Sequence, residues 1–363
     1  MMHRMPVKSL LERRSFLKMA GAAWALGLAP QGTEALARAE AVYASAFMDR
    51  SGAYGIATIS ERGEIIERVG LPARAHGLAA SADGSRAVAF ARRPGTFALV
   101  FSPDRRFAPV TISAAEGRHF FGHGCFSADG RLLYATENDF DANRGMIGVY
   151  DGTDGYRRIG EFQTFGIGPH DMTMSGDGTL LAVANGGIET HPDFGRTKLN
   201  LDHMDPSLSL IDATSGALIE RHTLPASLKA LSTRHLDIDA AGRIWFACQW
   251  EGARDAAPPL AGSFRRGEDL TFLSLPEDTT ARLANYIGAV AIDRQRDLVG
   301  LTSPIGNSFV VVDAKSSRVL SETSVDQVAG IAAGPQDFAV SDYRGGFAGK
   351  SSPVAWDQHI VRL

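Results

Sequence analysis

Four histidines, His76, His123, His170 and His235, recur along the chain at intervals of 47, 47 and 65 residues. Each opens a short apolar stretch that ends in a glycine-bearing turn: HGLAASADG, HGCFSADG, HDMTMSGDG and HLDIDAAG. A second apolar run follows each turn, namely RAVAFA, RLLYAT, TLLAVA and RIWFAC. A repeat of roughly 45 residues with strand signals and no helical period marks a propeller blade, a small sheet that buries its faces only against neighbouring copies. The constraint is therefore architectural first: a chain of such units has to form a ring.

Seven units can be traced, at 43–70, 76–115, 119–165, 170–225, 235–275, 288–325 and 330–363. Within a unit, Asp-Gly, Ser-Gly or Gly-Asp signals separate up to four apolar or alternating runs, as in GCFS, RLLYAT, MIGVYD and YRRIGEF. The 39 glycines supply those turns, and no segment carries the caps and 3.6-residue period of a long helix. The expected fold is all-β, a seven-bladed β-propeller of four-stranded antiparallel blades, with six or eight blades as the alternatives. The first unit lacks an inner strand and the last an outer one, so the two termini are expected to close the ring together and remove its exposed edge.

Residues 1–37 stand apart from the repeats. Glu12-Arg13-Arg14-Ser15-Phe16-Leu17-Lys18 precedes a charge-free stretch from Met19 to Pro30, and Ala35-Leu36-Ala37 supplies a small-x-small cleavage site. This order of features resembles a twin-arginine export signal, and the apolar stretch is too short to span a membrane. The expectation is a removed signal over 1–37, a single propeller domain over 38–363, and a soluble product in a bacterial periplasm. Removing the leader takes away five basic and two acidic residues, so the formal charge moves from −4 to −7. Such an acidic balance excludes nucleic acid and anionic lipid as natural partners, and no membrane insertion is expected. Two cysteines, Cys125 and Cys248, are too few for a disulfide framework and read as buried free thiols.

Propeller topology turns the list of residues into a place. The inner strand of a blade runs from one face of the ring to the other and the second strand returns, so the start of the first and the end of the second share a face. The histidines lie at the former. The latter carry Arg92-Arg93, Glu137-Asn138-Asp139, Asn185-Gly186-Gly187, Gln249-Trp250-Glu251, Thr302-Ser303-Pro304 and Ser341-Asp342-Tyr343-Arg344. A funnel with imidazoles at its throat is expected, with Arg92, His119, Asn138, Asn185, His191 and Arg234 as candidate ligand-binding groups around it. Between Asn185 and Ser207 the insertion GGIETHPDFGRTKLNLDHMDP emerges on that face, either as a lid or as a buttress between blades.

Neutral imidazole is the commonest metal ligand, and His76, His123, His170 and His235 on consecutive blades could meet at metal distances while the blades near Gly288 and Gly330 leave one side open. An imidazole site suits copper, zinc, iron or nickel; raw affinity favours copper, and carboxylates such as Glu137 and Glu189 would shift the balance toward iron. The other reading is structural, since propeller histidines can hydrogen-bond within their own blade. The spacing from histidine to turn aspartate, seven residues for His76 and His170 but six for His123, bears on the choice, because one residue of register reverses the facing of a strand. The chain contains no GxSxG elbow, P-loop, CxxCH or HExxH motif. Met172 and Met174 alternate along an inner strand and read as core.

Long stretches of the text resemble the DUF1513 family of exported proteins: RHFFGHGCFSADGRLLYATEND (118–139), GIGPHDMTMSGDG (166–178), VANGGIETHPDFGRTKLNLDHMDPSL (183–208), STRHLDI (232–238) and TSP (302–304). The resemblance covers almost the whole mature chain. It implies a propeller of the YVTN/WD40-like kind and a setting among periplasmic iron-uptake proteins such as imelysin-like components; it implies no activity. The leading expectation is binding of a transition metal, or of a metal-bearing ligand, in iron or metal acquisition. A metal-dependent hydrolase of lactonase type or an oxidoreductase, with Glu137 or Glu189 as base, is one alternative. A metal-free interaction scaffold is the other.

Overall fold

The structure is a computed structural model that describes residues 41–363. The expected leader, residues 1–37, lies outside them. Seven four-stranded antiparallel sheets are arranged as blades around a common axis. Numbered around the ring, their inner strands are Val354–Arg362 (blade 1), Ala75–Ala80 (blade 2), Arg118–Phe126 (blade 3), Pro169–Met174 (blade 4), Leu231–Ile238 (blade 5), Ala289–Asp293 (blade 6) and Val328–Ala333 (blade 7). Each inner strand contacts the next, and that of blade 7 contacts that of blade 1. The only helix among the described residues that reaches a full α turn is the short Glu277–Arg282.

Ring closure is made by the end of the chain. Val354–Arg362 pairs antiparallel with Ala41–Asp49, so blade 1 takes its inner strand from the C-terminus and its other three from the start of the described chain. The unit 330–363 therefore holds five strands: the four of blade 7 and the closing one. Blade 7 keeps a full set of four because its outer pair, Gly346–Phe347 and Lys350–Ser351, is cut to two residues each.

The repeated text makes a repeated turn. In blades 2, 3 and 4 the hydroxyls of Ser81, Ser127 and Ser175 donate to Asp83, Asp129 and Asp177 at 2.6 Å. The same carboxylate oxygens accept the backbone N–H of Ser85, Arg131 and Thr179 at 3.0 Å. Gly84, Gly130 and Gly178 take φ of +66°, +69° and +72°, where a side chain would be strained. These turns hold the two inner strands of each blade in one register.

Apolar clusters lie between successive blades rather than within them. Ala44 and Ile56 meet Ala89 and Phe101 across blades 1 and 2, Phe90 meets Phe120 and Leu133 across blades 2 and 3, and Ile147 meets Leu181 and Val183 across blades 3 and 4. One larger cluster joins blades 4, 5 and 6 through Leu210, Phe246 and Val299, and others join blades 6 to 7 and 7 to 1. The last of these centres on Trp356, which is fully buried against Phe347 and Phe47 and donates its indole N–H to the Gly345 carbonyl at 3.2 Å. Replacing Trp356 with Ala is expected to cost about 3–5 kcal/mol. Chemical denaturation measures this, and an unchanged midpoint would show that the closing strand is not what seals the ring.

Candidate functional site

The site follows from how the inner strands bend. Blades 2, 3, 4 and 5 each carry a bulge, between Ala75 and Leu78, Phe120 and Gly124, Pro169 and Asp171, and Thr233 and His235. The closing strand has one as well, with Asp357, Gln358 and His359 set against Ala46 alone. A bulge puts extra residues on one strand and re-aims their side chains. The inner strand of blade 6 has none, and that of blade 7 spends its bulge on Ala329 and Gly330.

Counting back from the first residue of each turn, Ser81, Ser127, Ser175 and Asp239, resolves the uneven histidine spacing. Five residues before it stand His76, Gly122, His170 and Arg234; four before it stand Gly77, His123, Asp171 and His235. The two positions form two tiers along the axis. His76 and His170 line a pocket of about 230 Å³ on the face where the second strands end, together with Arg234 and Gln358. His123, His235 and His359 line a wider vestibule of about 910 Å³ on the opposite side. Glycine on one tier admits the imidazole of the other: a Cβ at Gly77 would sit 2.5 Å from His123 Nδ1, and one at Gly122, whose φ is +109°, would sit 2.9 Å from His76.

All four predicted histidines converge, and a fifth, His359, joins them. Ring centroids are 4.7 Å apart for His76 and His359, 4.7 Å for His123 and His359, and 4.8 Å for both His170–His235 and His235–His359. Two triads result, His76–His123–His359 and His123–His170–His235, each with ligand atoms within 4.8 Å of one another. His123 belongs to both. Its Nδ1 lies 3.1 Å from Asp171 Oδ1, while its Nε2 is buried without a protein partner. The other carboxylate oxygen of Asp171 lies 3.9 Å from His235 Nδ1 and accepts the Leu236 N–H at 3.0 Å. Nitrogens of His76, His170, His235 and His359 are likewise buried with no hydrogen-bond partner in the protein.

Burial, reinforced by the neighbouring imidazoles and arginines, holds His76, His170 and His235 well below the ordinary imidazole pKa of 6.5. His359 is lowered in the same way, chiefly by burial and by His123. A group of neutral, close-set imidazoles with free nitrogens is suited to hold a metal ion. Bond lengths of about 2.0–2.1 Å require modest contraction of the observed spacing.

The other candidates fall into two groups. Arg92 and Arg234 line the upper pocket. His119 is instead bound within its own surroundings, with Nδ1 3.0 Å from the Phe120 carbonyl and Nε2 3.2 Å from the Asn138 amide, which also donates to the Thr190 carbonyl. The Asn185 amide donates to the Thr164 carbonyl and to the Ser209 hydroxyl. His191 stands against Phe140 with Asp141 and Asp193 at 3.6 Å. Glu137 is fully buried in its blade, where Tyr150 donates to it at 2.5 Å and Arg158 at 2.8 Å. Glu189 anchors the insertion through its backbone, to Asn200 and Leu199. The insertion is thus tied down as a buttress and at the same time delivers Arg196 and Lys198 to the upper pocket. Cys125 and Cys248 are free, with thiol pKa values pushed up by burial, and Met172 lies in the core.

Sequence reasoning missed His359, Asp171 and Lys198, and placed Arg196 on the insertion without assigning it to the pocket. His359 lacks the downstream turn that announced the others, because its strand ends the chain; the missing inner strand of the first unit was the signal that pointed to it.

The family model described as "Protein of unknown function (DUF1513)" matches residues 69–363, every blade but most of the first. The chain belongs to the DUF1513 family. Among solved structures it is similar to hydrazine synthase of Kuenenia stuttgartiensis, at 13% identity and a TM-score of 0.60, covering 88% of this chain and 92% of that one. It is also similar to a chain of a nidogen/laminin complex, at 15% identity and a TM-score of 0.50, covering 77% and 92%. At these identities the likeness shows the fold alone. No curated protein matches the sequence.

The lowered imidazole pKa values carry a sign. The folded, metal-free DUF1513 protein keeps these histidines neutral below pH 6.5, whereas the unfolded chain protonates them near that value, so the unfolded state binds more protons and stability falls as pH falls. Each such imidazole contributes a slope of up to about 1.4 kcal/mol per pH unit below pH 6.5. Denaturation of metal-stripped protein between pH 7.5 and 5.5 tests this: a loss of stability confined to the acid side is expected, and a flat profile would mean the cluster is not held neutral.

Proposed function

We propose that this DUF1513 protein binds a first-row transition-metal ion on its axis, through His123 and the histidines of the two triads that share it, and serves metal handling. One observation carries the reading. His123 has one nitrogen against Asp171 and the other buried, unpartnered and facing imidazoles from neighbouring blades. A carboxylate behind a histidine sets its tautomer and raises its basicity as a ligand. Leaving several such nitrogens buried and unbonded costs about 1–3 kcal/mol each, which a bound ion would offset.

The donor set is imidazole, which suits copper, iron, nickel or zinc, and the family's setting favours iron. The same proposal places the protein in the periplasm, on the strength of the twin-arginine text near its start, and gives it periplasmic iron-uptake proteins such as imelysin-like components as partners. Blades 6 and 7 contribute no imidazole to the cluster and line the vestibule there with Ala289, Val290 and Ile331, which supports an ion open on one side to exchange.

Elemental analysis of protein exported through its own leader tests the reading, beside His123→Ala and Asp171→Asn variants whose folding is checked by circular dichroism. About one equivalent of metal is expected. His123→Ala should lose most of it with the fold retained, and Asp171→Asn should weaken affinity about 10–100-fold. Metal-free protein that also refuses iron, copper and zinc would overturn the proposal and leave a scaffold whose histidines only stabilise the ring.

A further inference from the structure

The pocket above the upper histidine tier is built from cations. Arg92 comes from the end of the second strand of blade 2, as does the adjoining Arg93; Arg234 comes from the bulge of blade 5; Arg196 and Lys198 come from the insertion of blade 4. Two carboxylates stand near them. Glu251 accepts from Lys198 at 2.5 Å and from Arg234 at 3.2 Å. Asp357 accepts from Arg74 at 2.5 and 3.2 Å and lies 4.0 Å from Arg92. With Arg74 counted, six cations face two carboxylates. Arg92 Nε and Nη1 and Arg234 Nε are buried without a hydrogen-bond partner, Nη1 keeping only the 4.0 Å ion-pair contact with Asp357, and the Arg234 side chain is only 9% exposed.

Like charges gathered in a partly closed space repel one another unless something negative lies between them. Burial, with Arg234, Arg196 and Arg92 nearby, pushes Arg93 down to about 9. Gln249, Gln358 and Tyr286 add neutral polar groups to the wall, and the Arg93 guanidinium lies 5.8 Å from the Phe121 ring centre. Guanidinium forks match the planar edge of a carboxylate or the face of a phosphate.

We propose that this pocket is a binding site for a small polyvalent oxyanion, a phosphate or a polycarboxylate, seated on His76 and His170 and clamped by Arg92, Arg93, Arg234 and Arg196. The volume of about 230 Å³ admits a small molecule and excludes a macromolecule. The site stands on the protein's own cations and does not rest on the metal reading. An oxyanion there would lie directly above the histidine tier.

Isothermal titration of metal-stripped protein at low ionic strength, with inorganic phosphate in one arm and citrate in the other, tests the proposal. One-to-one binding is expected in at least one arm, and the arm that binds assigns the anion as phosphate or polycarboxylate. Arg92→Gln should weaken it at least tenfold. The rim variant Arg196→Gln/Lys198→Gln, on the exposed insertion and outside the core, should weaken it as well and guards against misfolding of the first. No heat in either arm, or affinity unchanged in both folded variants, overturns the proposal. Because no metal is present, its failure is separate from that of the metal site.

Discussion

The pairing of Val354–Arg362 with Ala41–Asp49 joins the two ends of the described chain in one sheet, and every other feature inherits its position from that closure. Without it the inner strands would lie along an open arc with unpaired edges and no common axis. With it, each blade has a neighbour on both sides, so the apolar faces that a single four-stranded sheet cannot hide are covered all round by clusters that straddle blades. The closing strand also delivers His359 between His76 on one side and the open sector of blades 6 and 7 on the other. Fold closure and site assembly are one event.

A ring alone would not bring imidazoles together, because regular strands alternate their side chains between faces. The bulges change this. By placing extra residues at a similar height, one each in blades 2, 4 and 5 and two in blade 3, they turn consecutive positions toward the axis and create tiers. A crowded axis cannot accept a large group at every position, and the chain answers with alternation: glycine at 77 below His76, glycine at 122 above His123. Asp171 takes the lower place in blade 4, between His123 and His235. Its carboxylate accepts the Leu236 and Met172 N–H groups at 3.0 and 2.7 Å and lies 3.1 Å from His123 Nδ1, with His235 Nδ1 farther off at 3.9 Å.

Much of this was legible in the sequence. The blade text, the turn glycines and the placement of His76, His123, His170 and His235 at the inner strands follow from periodicity and strand direction, whereas their convergence does not. The six-against-seven spacing was a true signal, but its meaning depends on bulges, which repeat text does not announce; it reports tier, where a register argument alone would have turned some histidines outward. Glu137 looked like a mouth carboxylate because it lies at the end of a second strand, yet its side chain is bound to Tyr150 and Arg158 inside the blade. A strand end fixes where a backbone lies, and only packing decides which way its side chain turns. The place of Arg196 and Lys198 in the pocket was hidden for a related reason: a loop of that length has no periodic pattern from which its path could be inferred.

The two ends of the axis differ in a way that limits how ions move through it. On the upper side Arg92, Arg93 and Arg196 set up a positive field that opposes the approach of a bare divalent cation. On the lower side the vestibule is roomier, and its wall carries Asp171, Asp237 and Asp293, of which Asp237 is paired with Arg294 at 2.6 Å and Asp293 with Arg296 at 2.6 Å, while Asp171 has no arginine partner among the described residues. Under the proposed metal reading, a free cation would meet the histidines more favourably from below, and an oxyanion held by the arginines would lower the electrostatic barrier above. On that same reading, the charges that would oppose the bare ion would attract its anionic complex, so the two pockets would favour different forms of one metal.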